Sequence, residues 1–157
     1  MDEATELRAR IADLEAHLAI IQLEGAYAHL WDAVDSAGWA SLFTENGVFE
    51  TARVGPFHAF RAEGREELEQ LCRDFNATWS GLHQLGVPDI RVSGDTAEGA
   101  IHFRFRQFPR SGDPSVRETI GLYQVHYLRV DGAWKMAHRL ERAVGRESHD
   151  GYAGSYE

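Results

Sequence analysis

The first third of the chain carries a repeat of apolar residues with helical spacing. Leucine and isoleucine alternate at intervals of four and three residues between positions 7 and 21, and no proline interrupts the run. The pattern predicts one long helix over 4–34. The stripe is compatible with a coiled-coil seam, but it is shorter than a sustained coiled coil, so we expect it to cover the chain's own core or a neighbouring subunit. Gly25 marks the point where the stripe bends or changes partner. The stripe consists of Leu7, Ile11, Leu14, Leu18 and Ile21.

Shorter elements follow before residue 81. Trp39, Leu42 and Phe43 recur at helical spacing, and the sequence of residues 44–47 then breaks the run. A second helical pattern runs through Leu68, Leu71, Cys72 and Phe75. The predicted elements are a helix over 36–42 capped by Asp35, a strand from 48, a loop over 53–64 and a helix over 65–75.

Beyond Gly81 the apolar spacing changes from helical to alternating, which is typical of strands. Helices followed by a meander of strands predict an α+β fold, with the helices on one face of a curved antiparallel sheet. Apolar residues on both sheet faces, such as Leu122 and Tyr123, predict a homodimer or homotrimer, because the helices can cover only one face. The predicted strands lie at about 82–92, 96–109, 117–130 and 133–145, with short turns at 93–95 and 131–132.

Composition and charge narrow the choice of partners. The net charge of −9 argues against nucleic acid, as does the lack of any Lys/Arg cluster beyond Arg104-Phe-Arg106 and Arg139-Leu-Glu-Arg142. No apolar run approaches the roughly 20 residues needed to cross a bilayer, and the N-terminus is acidic where a signal peptide is basic. The single cysteine, Cys72, predicts a packed thiol in a reducing compartment. We therefore expect a cytoplasmic protein with no membrane partner.

Candidate acid–base chemistry lies near the end of the long helix. Tyr27 and Asp32 are five residues apart, which is about 140° around a helix, so they face one cavity only if it wraps around the helix end. His83 opens the first strand-like run after the helices. An Asp bound to one imidazole nitrogen fixes the tautomer and raises the basicity of the other nitrogen. Tyr27 could then polarise a carbonyl or protonate a departing hydroxyl.

Each of these three residues also has a structural interpretation. Asp32 could cap the following turn, although its place in a continuing helix favours a pocket role. Tyr27 is equally compatible with a core tyrosine whose hydroxyl is hydrogen-bonded. His83, flanked by Leu82 and Leu85, would by default be a hydrogen-bonded strand histidine.

Metal and cofactor signatures are missing from the sequence. His102, His126 and His138 fall on three different predicted strands, and none belongs to a His-x-His or His-x3-His pair. The chain also lacks a glycine-rich phosphate loop, a Gly-x-Ser-x-Gly elbow and a Cys-x-x-Cys pair. We expect no metal and no cofactor, so any catalysis would be cofactor-independent.

The strand around residues 101–108 alternates strictly between apolar and polar side chains. His102, Arg104 and Arg106 share one face, and Ile101, Phe103 and Phe105 share the other. A polar set facing a cavity would indicate an anionic or phenolic substrate. For Arg104 and Arg106 we expect instead that they meet solvent or another subunit.

The order of elements and several motifs resemble the SnoaL-like members of the nuclear transport factor 2-like superfamily, and most closely its scytalone dehydratase and bile acid 7α-dehydratase families. The resemblance covers nearly the whole chain as one domain over 1–157, with 1–20 as an N-terminal helical extension and 147–157 as a tail. The motifs that carry it are Tyr27-x4-Asp32, the run from Trp39 to Phe49, Gly64 before a helix, His83, Gly94-Asp-Thr-Ala and Asp131-Gly-x-Trp134-Lys-Met.

This resemblance implies a cone-shaped α+β barrel, with helices on the concave face of a mixed, mostly antiparallel sheet. It places Asp32 and His83 in a cavity between the sheet and the helices, with Tyr27 beside them. The second pocket histidine of scytalone dehydratase falls near Phe108, with His102 as the nearest candidate. Its serine and asparagine correspond to Gly121 and Tyr123, and the C-terminal arginine of the bile acid enzyme corresponds to Arg139, Arg142 or Arg146.

Aromatic residues around the predicted cavity suit a flat, apolar, oxygenated substrate such as an aromatic, polyketide or steroid-like compound. The sequence therefore predicts a cofactor-independent lyase, most concretely a dehydratase, with His83, Asp32 and Tyr27 as catalytic residues. An isomerase or cyclase would use the same proton transfers, and a non-catalytic ligand-binding or assembly domain is the alternative of another class. An open cavity would favour an enzyme, and a cavity plugged by Trp31 and phenylalanines would favour the binding domain. The predicted substrate-binding residues are Trp31, Phe49, Phe57, Phe60, Trp79, His102, Tyr123 and Arg139.

Overall fold

A computed structural model describes residues 2–52 and 59–150. Within them the chain forms three helices and seven strands. Along the chain these are α1 (Glu3–Asp32), α2 (Ser36–Ser41), β1 (Phe43–Thr51), β2 (Phe60–Glu63), α3 (Gly64–Thr78), β3 (Trp79–Leu85), β4 (Asp89–Ser93), β5 (Thr96–Pro109), β6 (Ser115–Val130) and β7 (Ala133–Asp150).

The seven strands form one curved sheet in the order β2-β1-β7-β6-β5-β3, and β4 pairs with β5 beside β3. Only β1 and β7 run parallel, while the other pairs are antiparallel. The predicted α+β architecture, with helices on the concave face of a mixed, mostly antiparallel sheet, is confirmed. The sheet does not close into a complete barrel.

Helix α1 begins where the Asp2 side chain accepts a hydrogen bond from the Thr5 N–H at 2.7 Å. Its buried face is not the predicted stripe. All five leucines and isoleucines of the stripe are exposed, and Leu14 is 68% exposed. Of the two expectations for the stripe, cover of the chain's own core is wrong, and cover of a neighbouring subunit stays a prediction. Aliphatic spacing predicts the wrong buried face of α1, because the face that is actually buried mixes small, aromatic and acidic side chains. The inner face consists of Ala16, Ile20, Leu23, Glu24, Tyr27 and Trp31.

The helix α2 has the predicted start, because the Asp35 side chain accepts from the Gly38 N–H at 2.8 Å. The strand that follows begins earlier than predicted. Residues 44–47 belong to β1, which pairs with β7 at Phe43 and again from Val48, with an irregular register between them. The polar turn-like sequence there forms a bulge instead of ending the element.

Three further strand boundaries differ from the sequence predictions. Phe60–Glu63, assigned to a loop, is the short edge strand β2, whose order comes from pairing with β1. The predicted strand 82–92 is two strands, since Pro88 has no N–H for a ladder and both strands pair with β5. Residues 147–150 continue β7 against the start of β6 instead of beginning a tail.

Burial shows which of the two alternating sets of side chains along β5 faces the core. Ile101, Phe103 and Phe105 point into the core, while Arg104 and Arg106 lie on the outer face with their Nε atoms 3.3 and 3.6 Å from the Glu118 carboxylate. The outward prediction for the two arginines is confirmed. In the described part of the chain, no helix combines the length and apolar character needed to cross a membrane.

Candidate active site

Asp32 and His83 meet between the end of α1 and the strand β3. The His83 Nδ1 lies 2.7 Å from Asp32 Oδ1, and the His83 backbone N–H donates to Asp32 Oδ2 at 2.8 Å. Because a carboxylate oxygen accepts, the ring proton lies on Nδ1 and the lone pair lies on Nε2. One carboxylate thus fixes both the strand and the tautomer of the imidazole.

The His83 side chain is only 3% exposed, and this burial lowers its pKa below the ordinary value. The hydrogen bond and charge of Asp32 oppose the effect, and the positive charge of Arg139 adds to it. The imidazole is therefore neutral near pH 7 and can accept a proton at Nε2.

Aromatic rings enclose His83 on several sides. The Phe105 ring stacks on the imidazole with centroids 3.9 Å apart. Tyr27 and Trp31 meet it edge-on, with centroids at 5.9 and 6.3 Å. Tyr27 and Asp32 therefore both approach His83, because the site wraps around the last two turns of α1.

The Glu24–Arg139 ion pair lies on the other side of Tyr27. The Arg139 guanidinium is fully buried between two phenol rings, 3.7 Å from the Tyr27 centroid and 3.9 Å from the Tyr123 centroid. Its Nη1 donates to both oxygens of the buried Glu24 carboxylate, at 2.8 and 2.9 Å. The Tyr127 hydroxyl donates to Glu24 Oε1 at 2.7 Å. Glu24 therefore holds Arg139 in place from the core face of α1.

The pKa values of this cluster follow its burial. Burial raises the pKa of Tyr27 well above its usual range, against the opposing charge of Arg139. Burial would lower the pKa of Arg139, but the nearby Glu24 carboxylate outweighs it and raises the pKa. The phenol thus keeps its proton as a donor, and the guanidinium keeps its charge.

Several buried N–H groups of this cluster lack an acceptor among the described residues. They include Nε and Nη2 of Arg139 and the indole Nε1 atoms of Trp31 and Trp39. Buried donors are normally paired, and a guanidinium suits a carboxylate or another electron-rich oxygen. The cluster is therefore chemically suited to an oxygen-bearing ligand.

The structure gathers only some of the predicted substrate-binding residues. Trp31, Tyr123 and Arg139 lie in the cluster around Tyr27. Phe49 is buried behind Trp39, with ring centroids 6.1 Å apart. Phe57 lies outside the described residues.

Three other predicted positions lie outside the cluster around His83 and Tyr27, and of these only the placement of His102 in the cavity is contradicted. His102 is exposed on the outer face of β5, because odd-numbered neighbours take the inner face. Phe60 is 44% exposed on the edge strand β2. Trp79 begins β3 and stacks with Arg117 at 4.1 Å, four residues from His83 along the strand.

Sequence reasoning missed Glu24, Phe105 and Tyr127. A signal existed for Glu24, because it precedes Tyr27 and Trp31 by three and seven residues and so shares their helix face. A carboxylate on the core face of a helix requires a buried partner. Within the described residues, no three His, Cys, Asp or Glu side chains gather where a metal ion could bind.

A surface groove of about 530 Å³ between β2 and α3 approaches this enclosed site. Phe60, Leu71 and Phe75 are among the residues that line it. The Phe75 ring also contacts Trp31 and Phe105, with centroid distances of 5.4 and 5.8 Å. Phe75 therefore stands between the groove and the rings that cover His83.

Residues 12–140 match the family model of the SnoaL-like domain, which is most of the chain. The chain belongs to the SnoaL-like family. The predicted membership in the SnoaL-like family is thereby confirmed. None of the curated proteins matches the chain in sequence.

Solved structures show the same fold. An NTF2-like protein with a cystatin-like fold from Novosphingobium aromaticivorans has a TM-score of 0.72 at 24% identity, with 92% of each chain covered. A candidate scytalone dehydratase from the same species has a TM-score of 0.75 at 20% identity, covering 92% of this chain and 97% of that one. The hexachlorocyclohexane dehydrochlorinase LinA-type3 from Novosphingobium barchaimii has a TM-score of 0.79 at 18% identity, covering 94% and 99%.

Proposed function

We propose that this SnoaL-like protein is a cofactor-independent lyase that removes water or another small group from an apolar, oxygenated substrate. The observation that carries the proposal is the Asp32–His83 pair. Asp32 holds the imidazole as the Nδ1–H tautomer, and burial keeps it neutral, so Nε2 is a base near neutral pH. The same base would serve an isomerase or cyclase.

In the proposed reaction His83 takes a proton from a substrate carbon. The electron pair of that C–H bond forms a carbon–carbon double bond, and the leaving group departs with its own bonding pair. Negative charge that develops on a substrate oxygen is stabilised by Arg139, which is buried and has two N–H groups without an acceptor in the described chain. Tyr27 holds its proton firmly, so it acts as a hydrogen-bond donor or protonates a strongly basic leaving group such as hydroxide.

The comparisons support an elimination in a limited way. Two of the structurally similar proteins carry the names of a dehydratase and a dehydrochlorinase, and both names describe loss of a small molecule from a substrate. At 20% and 18% identity they share the fold with this chain, so the proposal depends on the chemistry of its own residues.

One observation favours a non-catalytic ligand-binding domain as the second candidate. The His83 side chain is 3% exposed and Trp31 and Phe105 pack on it, so a substrate must displace side chains to reach Nε2. A binding domain would need no such access to the imidazole.

The test uses hydroxylated aromatic and steroid-like carbonyl compounds in D2O. Elimination is followed by absorbance and product mass, and proton abstraction by deuterium entering the carbon beside the carbonyl. We expect His83→Gln to lower turnover by about 100-fold or more, because general bases contribute that much. His126→Gln is the matched control, since His126 is an exposed histidine on the outer sheet face.

Two results would count against the lyase. Unchanged turnover in His83→Gln would remove the proposed base from the reaction. Tight binding of a compound with neither exchange nor product would favour the binding domain.

A further inference from the structure

The exposed stripe of α1 has no partner in the described part of the chain. Residues 2–15 are all exposed, and Ala16 is the first buried residue, so the first three turns of α1 stand clear of the domain. Isolated helices of this length are marginal in water. A free-standing helix with a continuous leucine and isoleucine stripe requires a covering surface.

The stripe faces away from the domain core. Leu18 on the stripe and Ile20 on the buried face are two residues apart, which is about 160° around the helix. A second molecule can therefore approach the stripe without displacing any core contact.

We propose that this stripe forms a parallel, in-register, two-stranded coiled coil with a second copy of the chain. The spacing assigns Ile11 and Leu18 to the a positions and Leu7, Leu14 and Ile21 to the d positions of a heptad repeat. Ile11 at a between two leucines at d is the combination that favours two strands, whereas Leu18 at a with Ile21 at d favours a higher number. The choice of two strands therefore depends on the free-standing first turns of α1, which carry Leu7, Ile11 and Leu14. The seam is short, but folding of the later turns of α1 onto the domain orders the helix before the copies meet.

The charges beside the stripe fit a parallel pairing of identical chains. In a parallel coil each g residue faces the next e residue of the partner. In this register Glu3 of each chain faces Arg8 of the other, and Arg10 of each chain faces Glu15 of the other. All four side chains are exposed, and within the described residues none of them has an ion pair. The coil would therefore gain four pairs of opposite charge.

An antiparallel pairing is less favourable. The register that stacks Leu7 on Leu18 and Ile11 on Leu14 keeps only the two pairs between Arg8 and Glu15. It also sets Arg10 opposite His17. The next a position after Leu18 is Gly25, which is exposed and has open space where a side chain would lie. The two α1 helices of a dimer can therefore stay close together at this position.

The oligomeric state is measured by light scattering on the full chain at micromolar concentrations. We expect a dimer for the wild type and a monomer for Leu14→Asp. Leu14 packs on no core residue, so the variant should keep its fold, which near-ultraviolet circular dichroism checks. A monomeric wild type, a trimer, or a folded Leu14→Asp dimer would overturn the proposal.

Disulfide trapping tests the direction of the helices. L7C should form a covalent dimer on mild oxidation, because the two thiols face each other only in a parallel, in-register pair. A9C is the matched control, since Ala9 lies on the outer face of the proposed coil, and the chain's own Cys72 is buried. Equal cross-linking of L7C and A9C, or no cross-linking of L7C, would overturn it.

Charge reversal tests the proposed ion pairs. Glu15→Arg should raise the dimer dissociation constant, because the new arginine faces Arg10 of the other chain. A second change, Arg10→Glu, should restore the pair of opposite charges and with it dimerisation. Failure of the double variant to recover would show that these charges do not face each other.

Discussion

The buried pair of Glu24 and Arg139 gives a stability prediction of known sign and size. Glu24→Gln keeps the shape of the side chain but leaves the guanidinium, which is fully buried, without its negative partner. Removing one member of a buried pair costs about 3–5 kcal/mol. The two phenol faces and the remaining amide oxygen still interact with the cation, so we expect a loss of about 3 kcal/mol, toward the lower end.

The assay is urea and thermal unfolding at one fixed protein concentration. For a domain of this size the expected loss corresponds to a fall of roughly 6–12 °C in Tm. Glu69→Gln is the matched control, because it breaks an exposed i,i+4 pair with Arg73 on α3. Such a pair is worth about 0.3–0.5 kcal/mol, so the control should change little.

A double-mutant cycle separates the lost pair from lost packing. Replacing both residues, as in Glu24→Leu with Arg139→Met, removes both charges and should destabilise less than the sum of the two single changes. If Glu24→Gln and Glu69→Gln unfold alike, or if the two single changes add, the pair is not the electrostatic anchor described above.

Three further measurements examine other parts of the site. Burial lowers the pKa of His83 in the folded protein, so below about pH 6.5 the unfolded chain binds more protons than the folded chain. The free energy of unfolding should therefore fall as the pH decreases, by at most about 1.4 kcal/mol per pH unit from this group. That slope, measured as wild type minus His83→Gln in urea unfolding between pH 7 and 5, would be zero if the histidine titrated normally. Phe75→Ala should increase the rate at which a histidine-directed reagent modifies His83, as measured by mass spectrometry. Phe60→Ala, which changes a residue of the same groove, should not increase that rate. Equal rates in the two variants would show that Phe75 is not the barrier. Burial raises the pKa of Cys72 to about 11, so a thiol reagent at pH 8 should react slowly with the folded protein and fully in urea, and a fast reaction in the native state would contradict the buried thiol.

Periodicity predicted the helices and long strands well, because each of them buries one face along many residues. It failed where order comes from distant pairing. The edge strand β2 has only four residues and is ordered by β1. Pro88 itself signals the break between β3 and β4 in the sequence, whereas their shared pairing with β5 does not follow from local spacing. It also selected the wrong face of α1, because the aliphatic stripe is the exposed one.

The candidate site was only partly accessible from sequence for a similar reason. Asp32 and His83 are 51 positions apart, so no local pattern joins them, and the family resemblance supplied their pairing. Aromatic residues were chosen by type, and type does not tell which strand face a residue occupies. Phe105 stacks on His83, whereas Trp79 on the same strand as His83 stacks with a surface arginine.

Tyr27 connects the Asp32–His83 hydrogen-bonded pair with the Glu24–Arg139 ion pair. One part of its ring meets His83, and its face covers Arg139, so a base and a cation lie on either side of one phenol. The positive charge of Arg139 also lowers the pKa of His83, which keeps the base unprotonated. In the proposed reaction the same cation would stabilise the negative charge that develops on the substrate. Glu24 tempers this effect by neutralising Arg139, so Glu24→Gln should lower the pKa of His83 further while weakening the fold. Titration of the His83 ring by NMR would show this, and an unchanged pKa would mean that the two pairs are electrostatically independent.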